Sequence, residues 1–221
     1  MARIFSSLAV VAVTLLVANL FLGLTGGDYN DAATRLKTLV RQWQAAQATS
    51  RSDPAELQRL TAELDAARAD FAPMRKRATL HILLGVLAAL VAVLVQCIAI
   101  TYFIGTTRWC KEVVDAYGFD QQVFGRSAAL KRGTFPFSLL GILTVLAIVT
   151  LGAAADPATM RDTTPRWVTP HLWAAVLGTA VVVFCLSKQA MNIQANNSIV
   201  NEVTAAVRAE RKRRGLDVED N

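Results

Sequence analysis

The sequence predicts an all-α fold: an integral membrane four-helix bundle with an extramembrane antiparallel helical hairpin and a helical C-terminal tail. Three observations lead there. The 221 residues are 53% hydrophobic with a mean hydropathy of +0.37, above the globular norm of about 45–50% apolar. Every Asp, Glu, Lys and Arg falls outside four uncharged stretches, 4–27, 78–107, 133–155 and 167–187, and each stretch exceeds the roughly 18–20 residues that cross about 30 Å of hydrocarbon. Outside these stretches, apolar residues recur at helical spacing. Such a composition excludes a soluble enzyme, a disulfide scaffold and a disordered tail protein.

Residues 1–27 read as a first span or signal anchor. Arg3 precedes an apolar run too long for the core of a typical signal peptide, about 7–15 residues, although Thr25-Gly26-Gly27 keeps a cleaved leader open as an alternative. Residues 28–77 carry nine basic and seven acidic residues and two apolar seams of coiled-coil type. Ala32, Leu36, Leu39, Trp43 and Ala46 make the first, and Leu57, Leu60, Leu64, Ala67 and Phe71 the second. Ser50-Arg51-Ser52-Asp53-Pro54 separates them, with Asp53 as cap, Pro54 at the first helical position and Glu56 completing a capping box. Gly26-Gly27 and Pro73 are natural breaks at the base of this hairpin.

Residues 78–187 hold three further spans. Pairs of small residues four apart, Gly85 with Ala89 and Ala174 with Gly178, let helix backbones approach where lipid gives no hydrophobic drive to pack. The basic loop 108–132 places Trp109, Val113 and Tyr117 at helical spacing among Arg108, Lys111, Arg126, Lys131 and Arg132, as in a helix lying at the headgroup level. Residues 188–221 read as a cytoplasmic helical tail in which Ile193, Val200, Val203 and Val207 form a seam, with Asn196 as a register-fixing amide between copies; Asp217 to Asn221 end it as a frayed polar stretch.

Lys and Arg divide almost evenly between the two sides, so orientation rests on Arg3, on Arg211-Lys212-Arg213-Arg214 and on Cys97, Cys110 and Cys185 falling toward the reducing side; Arg75-Lys76-Arg77 argues the other way. The expectation is a bacterial inner membrane with both termini cytoplasmic. The net charge of +6 sits beside spans, where anionic headgroups are the partner and nucleic acid is not. No Gly-rich phosphate loop, H-E-x-x-H or G-x-S-x-G occurs, and no carboxylate lies within a span. The reading is therefore not an enzyme, and charge-free spans place a transporter or channel last.

His81 and His171, the two histidines of the chain, fall near the start of the second and fourth uncharged stretches, which run the same way through the membrane. Two imidazoles at one depth can ligate a b-type haem from both sides, with Arg75, Arg77 or Arg166 meeting the propionates. The competing reading of each is an interfacial polar residue.

The run Thr101-Tyr102-Phe103-Ile104-Gly105-Thr106-Thr107-Arg108-Trp109-Cys110-Lys111-Glu112-Val113, followed by Leu130-Lys131-Arg132-Gly133-Thr134-Phe135-Pro136 and Gly152-Ala153-Ala154-Ala155-Asp156-Pro157, resembles a group of uncharacterised multi-span membrane proteins of planctomycete-type bacteria. The resemblance covers roughly the second half of the chain and implies no activity, cofactor or site residue. The leading functional expectation is a non-enzymatic accessory or scaffold subunit of an envelope complex, without cofactor, bound to lipid and to a protein partner or second copy through the hairpin or the C-terminal helix. The alternative is a membrane electron-transfer subunit with one b-type haem between His81 and His171.

Overall fold

The computed structural model describes residues 2–48, 53–159 and 163–216, so Ser50, Arg51, Ser52 and Asp217 to Asn221 lie outside the described residues. Among the described residues every regular element is helical: α1 Ala2–Leu24, α2 Tyr29–Ala48, α3 Pro54–Tyr117, α4 Gln121–Ala155, a 3-10 turn at Pro157–Thr159, and α5 Pro165–Arg213. Helices α1, α3, α4 and α5 are each long and apolar enough to cross a membrane. The chain divides into two compact units, and each of these four helices contributes a segment to both.

One unit comprises Thr14–Ala89 and Leu146–Gly178. The Asp53 carboxylate accepts from the Ala55 amide at 3.0 Å and its carbonyl from Leu57 at 3.1 Å, so α3 starts at Pro54 as the capping signal demands. Helix α2 runs antiparallel to this start: Trp43 Nε1 donates to Thr61 Oγ1 at 3.1 Å, and Tyr29 stacks on Phe71 with centroids 5.4 Å apart. Leu60, Leu64 and Ala67 of the second seam are buried, whereas α2 has no buried residue. Burial and the nearby Asp156 raise the Tyr29 hydroxyl above its ordinary pKa, against an opposing pull from Arg75.

The break expected at Pro73 is absent, and α3 continues through it. Proline removes one amide and crowds the carbonyl four residues back. Here both Pro73 and Ala69 are exposed, so that carbonyl has room to tilt toward the surroundings, and helix packing on either side outweighs the lost bond.

The other unit comprises Met1–Val13, Leu90–Val145 and Thr179–Asn221. Its apolar core includes Phe5, Ala92, Val95, Phe103, Val182 and Ile193, all nearly or fully buried. The surface-lying helix expected over 108–132 is instead the end of α3 and the start of α4. Gly118 takes the left-handed conformation at φ 67°, and the Phe119 amide reaches back to the Val114 carbonyl at 3.0 Å. Asp120 then caps α4, its carboxylate accepting from the Gln122 amide at 2.8 Å. A helix stop and start within three residues folds the chain back on itself.

The seam of α5 is likewise used within the chain. Cys110, Ile199 and Val203 form a buried cluster flanked by Trp109, Val113, Val123, Leu130, Val200 and Val207. Asn196, expected to fix register between copies, accepts from Ser127 at 2.7 Å and donates to Thr106 at 2.9 Å and Tyr102 at 3.2 Å. Higher on the same face, Gln189 donates to Gln96 and to Ser138 at 3.1 Å, and Asn192 to Thr134 at 2.9 Å. Residues 189–196 therefore pack beside the uncharged stretches of α3 and α4. Helix α5 closes in a Schellman motif at Gly215, φ 69°, with Leu216 bonded to Arg211 and Gly215 to Lys212.

Candidate functional site

His81 on α3 and His171 on α5 lie in the same unit, with their rings adjacent. Their ring centroids are 6.4 Å apart, with the ring planes inclined by 69°. Each ring rests on a glycine of a neighbouring helix. A Cβ on Gly23 of α1 would approach His81 Cε1 to 2.9 Å, and one on Gly152 of α4 would approach His171 Cε1 to 3.0 Å. Only a residue without a side chain lets either imidazole sit this close to the helix beside it.

His81 Nδ1 bonds the carbonyl of Asn19, four residues before Gly23, at 3.2 Å. A carbonyl can only accept, so Nδ1 carries the proton and Nε2 keeps its lone pair. The carbonyl of Ile148, four residues before Gly152, faces His171 in the same way, but no hydrogen bond of good geometry closes there and His171 Nδ1 is buried without a partner. Asn19 Oδ1 is likewise buried and unpartnered, its amide lying beside Gly85.

This likeness extends along both helix pairs. The pattern His-x4-Val-Leu-x3-Val-x-Val occurs at His81, Val86, Leu87, Val91 and Val93, and again at His171, Val176, Leu177, Val181 and Val183. Buried positions recur in the same register: Ala92 with Val182, Val95 with Cys185, Phe103 with Ile193. Phe5, Ala9 and Leu16 of α1 correspond to Thr134, Ser138 and Val145 of α4, in step with Gly23 and Gly152. The α1–α3 pair and the α4–α5 pair thus share a register of buried positions, and the α3–α5 part of it can be read from the sequence by laying His81 over His171.

The fit of a metalloporphyrin can be tested on these distances. Imidazole–metal bonds are about 2 Å, and the ring centre lies about 1 Å behind the ligating nitrogen, so two imidazoles on one iron put their centroids about 6 Å apart. The 6.4 Å between the His81 and His171 centroids is close to that spacing, and it is also the spacing of two rings in direct edge-to-face contact. Protonated Nδ1 held by a carbonyl is also the usual second contact of a metal-bound histidine, since it orients the ring and frees Nε2. Among the described residues no group of three or more His, Cys, Asp or Glu comes together.

Arg75, Arg77 and Arg166 are all exposed. Arg77 precedes His81 by one turn on the same face, and the Arg166 guanidinium lies over the Trp167 ring, 5.6 Å from its centroid. No described residue pairs Cys97, Cys110 or Cys185 in a disulfide. No known protein family, curated protein or solved structure matches the chain.

Proposed function

We propose that the chain is a membrane-embedded electron-transfer subunit that holds one b-type haem between His81 and His171. The observation that carries this reading is the 6.4 Å separation of the two rings. His81 and His171 would hold the haem, each ring set against a glycine of a neighbouring helix. Bound there, the haem supplies a one-electron couple. The chain's own residues would hold and orient it: the Asn19 carbonyl fixes the His81 tautomer, and Gly23 and Gly152 admit the rings. Arg77 and Arg166, before the histidines in α3 and α5, are candidates to meet the propionates.

In this reading α1, α3, α4 and α5 span a bacterial inner membrane, the α2–α3 hairpin stands on the outer side, and both termini are cytoplasmic. The test is the haem content of protein purified from cells with ample haem supply. One haem per chain is expected, and each of His81→Ala and His171→Ala should abolish it. Colourless wild-type protein that takes up no added haem overturns the reading.

A second reading, an accessory or scaffold subunit acting through helix–helix contacts, is favoured by the hairpin. Helix α2 buries none of its residues fully, and Ala32, Leu36, Leu39 and Trp43 stay half-exposed beside α3, which leaves part of this hairpin surface for a partner. Copurification from native membranes distinguishes the two: a stable partner lost on truncating the hairpin, with no haem present, supports the scaffold.

A further inference from the structure

The fourth uncharged stretch ends at Lys188, yet this lysine is not at the end of the packed apolar helices. Its neighbour Gln189 donates to Ser138 of α4, and Ser138 lies six residues inside Arg132, the last cation before the uncharged stretch of α4. At 1.5 Å per residue Lys188 is about 9 Å inside that level. A lysine so placed ordinarily snorkels outward. Here Nζ turns the other way and lies 5.7 Å from the ring centroid of Phe184, one helical turn further from the Arg132 level. Phe184 in turn meets Phe137 of α4 edge to face at 5.8 Å. No carboxylate pairs with Lys188 among the described residues.

An ammonium at the edge of hydrocarbon with only an aromatic face beside it is costly and calls for a counter-anion. We propose that the groove between α4 and α5 at Lys188 binds an anionic phospholipid, its phosphate on the lysine and an acyl chain along Phe137 and Phe184. The surface on the outer side of Phe137 is open. Gly133, one turn from Phe137 on the same face of α4, has open space where a side chain would stand, and the adjacent Arg132 is exposed and adds a second cation at the outer end. A lipid is favoured over free phosphate because the ammonium is directed inward, where an acyl chain accompanies the phosphate and a free ion loses its hydration. This site is independent of the histidine pair.

The test is native mass spectrometry of the full chain released from nanodiscs of mixed phosphatidylglycerol and phosphatidylcholine. Wild-type protein should retain phosphatidylglycerol over phosphatidylcholine by about fivefold or more, the effect of one well-placed cation. Lys188→Gln should lose that preference, Lys188→Arg should keep it, and Arg108→Gln, whose charge is paired with Glu112 at 2.8 Å, should leave it unchanged. Far-ultraviolet circular dichroism confirms that each variant folds. Excess inorganic phosphate should not displace the lipid. Equal retention of the two lipids by wild type, an unchanged preference in Lys188→Gln, or displacement by inorganic phosphate overturns the proposal.

Discussion

Adding a single methyl group at Gly23 or Gly152 tests the histidine site without touching a ligand. A Cβ would stand 2.9 Å from His81 Cε1 in the first case and 3.0 Å from His171 Cε1 in the second, whereas carbon atoms in ordinary contact are about 3.5–4.0 Å apart. Each ring must therefore retreat by about 0.5–1 Å. Metal–ligand distances tolerate only about 0.2 Å, so if the proposed haem is bound there the displaced imidazole would give up its bond to the iron or strain the helices to restore it. Overpacking of this size costs about 1–3 kcal/mol, which is about a 5- to 150-fold loss of haem affinity. The assay is titration of apoprotein with haem, followed by the Soret band, for Gly23→Ala and Gly152→Ala. Gly105→Ala is the control, because a Cβ there meets nothing within 4 Å. Alanine favours helix over glycine by up to about 1 kcal/mol, so the folded apoprotein should survive all three changes. If the Gly23 and Gly152 variants bound haem as wild type does, or if Gly105→Ala weakened binding equally, the rings would not be set by those glycines.

Three further outcomes are expected. Leu60→Asp with Leu64→Asp should unfold the hairpin at a cost of several kcal/mol, because both leucines are buried; unchanged helicity and proteolytic resistance of residues 29–71 would contradict their burial. Asn196→Ala removes an amide shared by Ser127, Tyr102 and Thr106 and should destabilise the detergent-solubilised protein by about 1–3 kcal/mol in thermal unfolding, whereas an unshifted transition would mean that water replaces the amide without loss. In a cysteine-free background, Gln58→Cys should be labelled from outside intact cells and Ala209→Cys should be protected, both residues being exposed; the reverse pattern inverts the orientation.

Much of the helical layout was legible in the sequence because charge is expensive in hydrocarbon, and the four charge-free stretches coincide with segments of α1, α3, α4 and α5. The cap at Asp53 was legible for an equally local reason, a carboxylate beside free amides. What escaped depends on partners distant in sequence. Lys188 ended the fourth stretch on paper, but hydropathy cannot register that Gln189, Asn192 and Asn196 find Gln96, Ser138, Thr134, Ser127, Tyr102 and Thr106. The same tertiary bonds turned an expected contact between copies into an internal one. Gly118 and Asp120 carried the signal for a sharp reversal, a left-handed glycine and a cap, within a loop that its basic and aromatic residues had suggested lies flat. Pro73 pointed to a break that tertiary packing overrode.

The candidate site was half legible. Two histidines at corresponding places in two spans suggested a shared depth, but whether the rings meet depends on helix rotation, which a sequence of charge-free residues does not encode. Neither Gly23 nor Gly152 stands out in the sequence by spacing or composition. Their role becomes visible only when His81 and His171 are laid over one another and the α1–α3 and α4–α5 patterns are seen to coincide.

Whether His81 and His171 share one iron is read most directly from the visible and electron paramagnetic resonance spectra of the purified protein, oxidised and reduced. Bis-imidazole ligation predicts a low-spin ferric signal and sharp α and β bands on reduction, with both features lost or converted to high-spin in His81→Ala and in His171→Ala alike. A colourless wild-type protein, or a low-spin spectrum that survives the loss of either histidine, would contradict it.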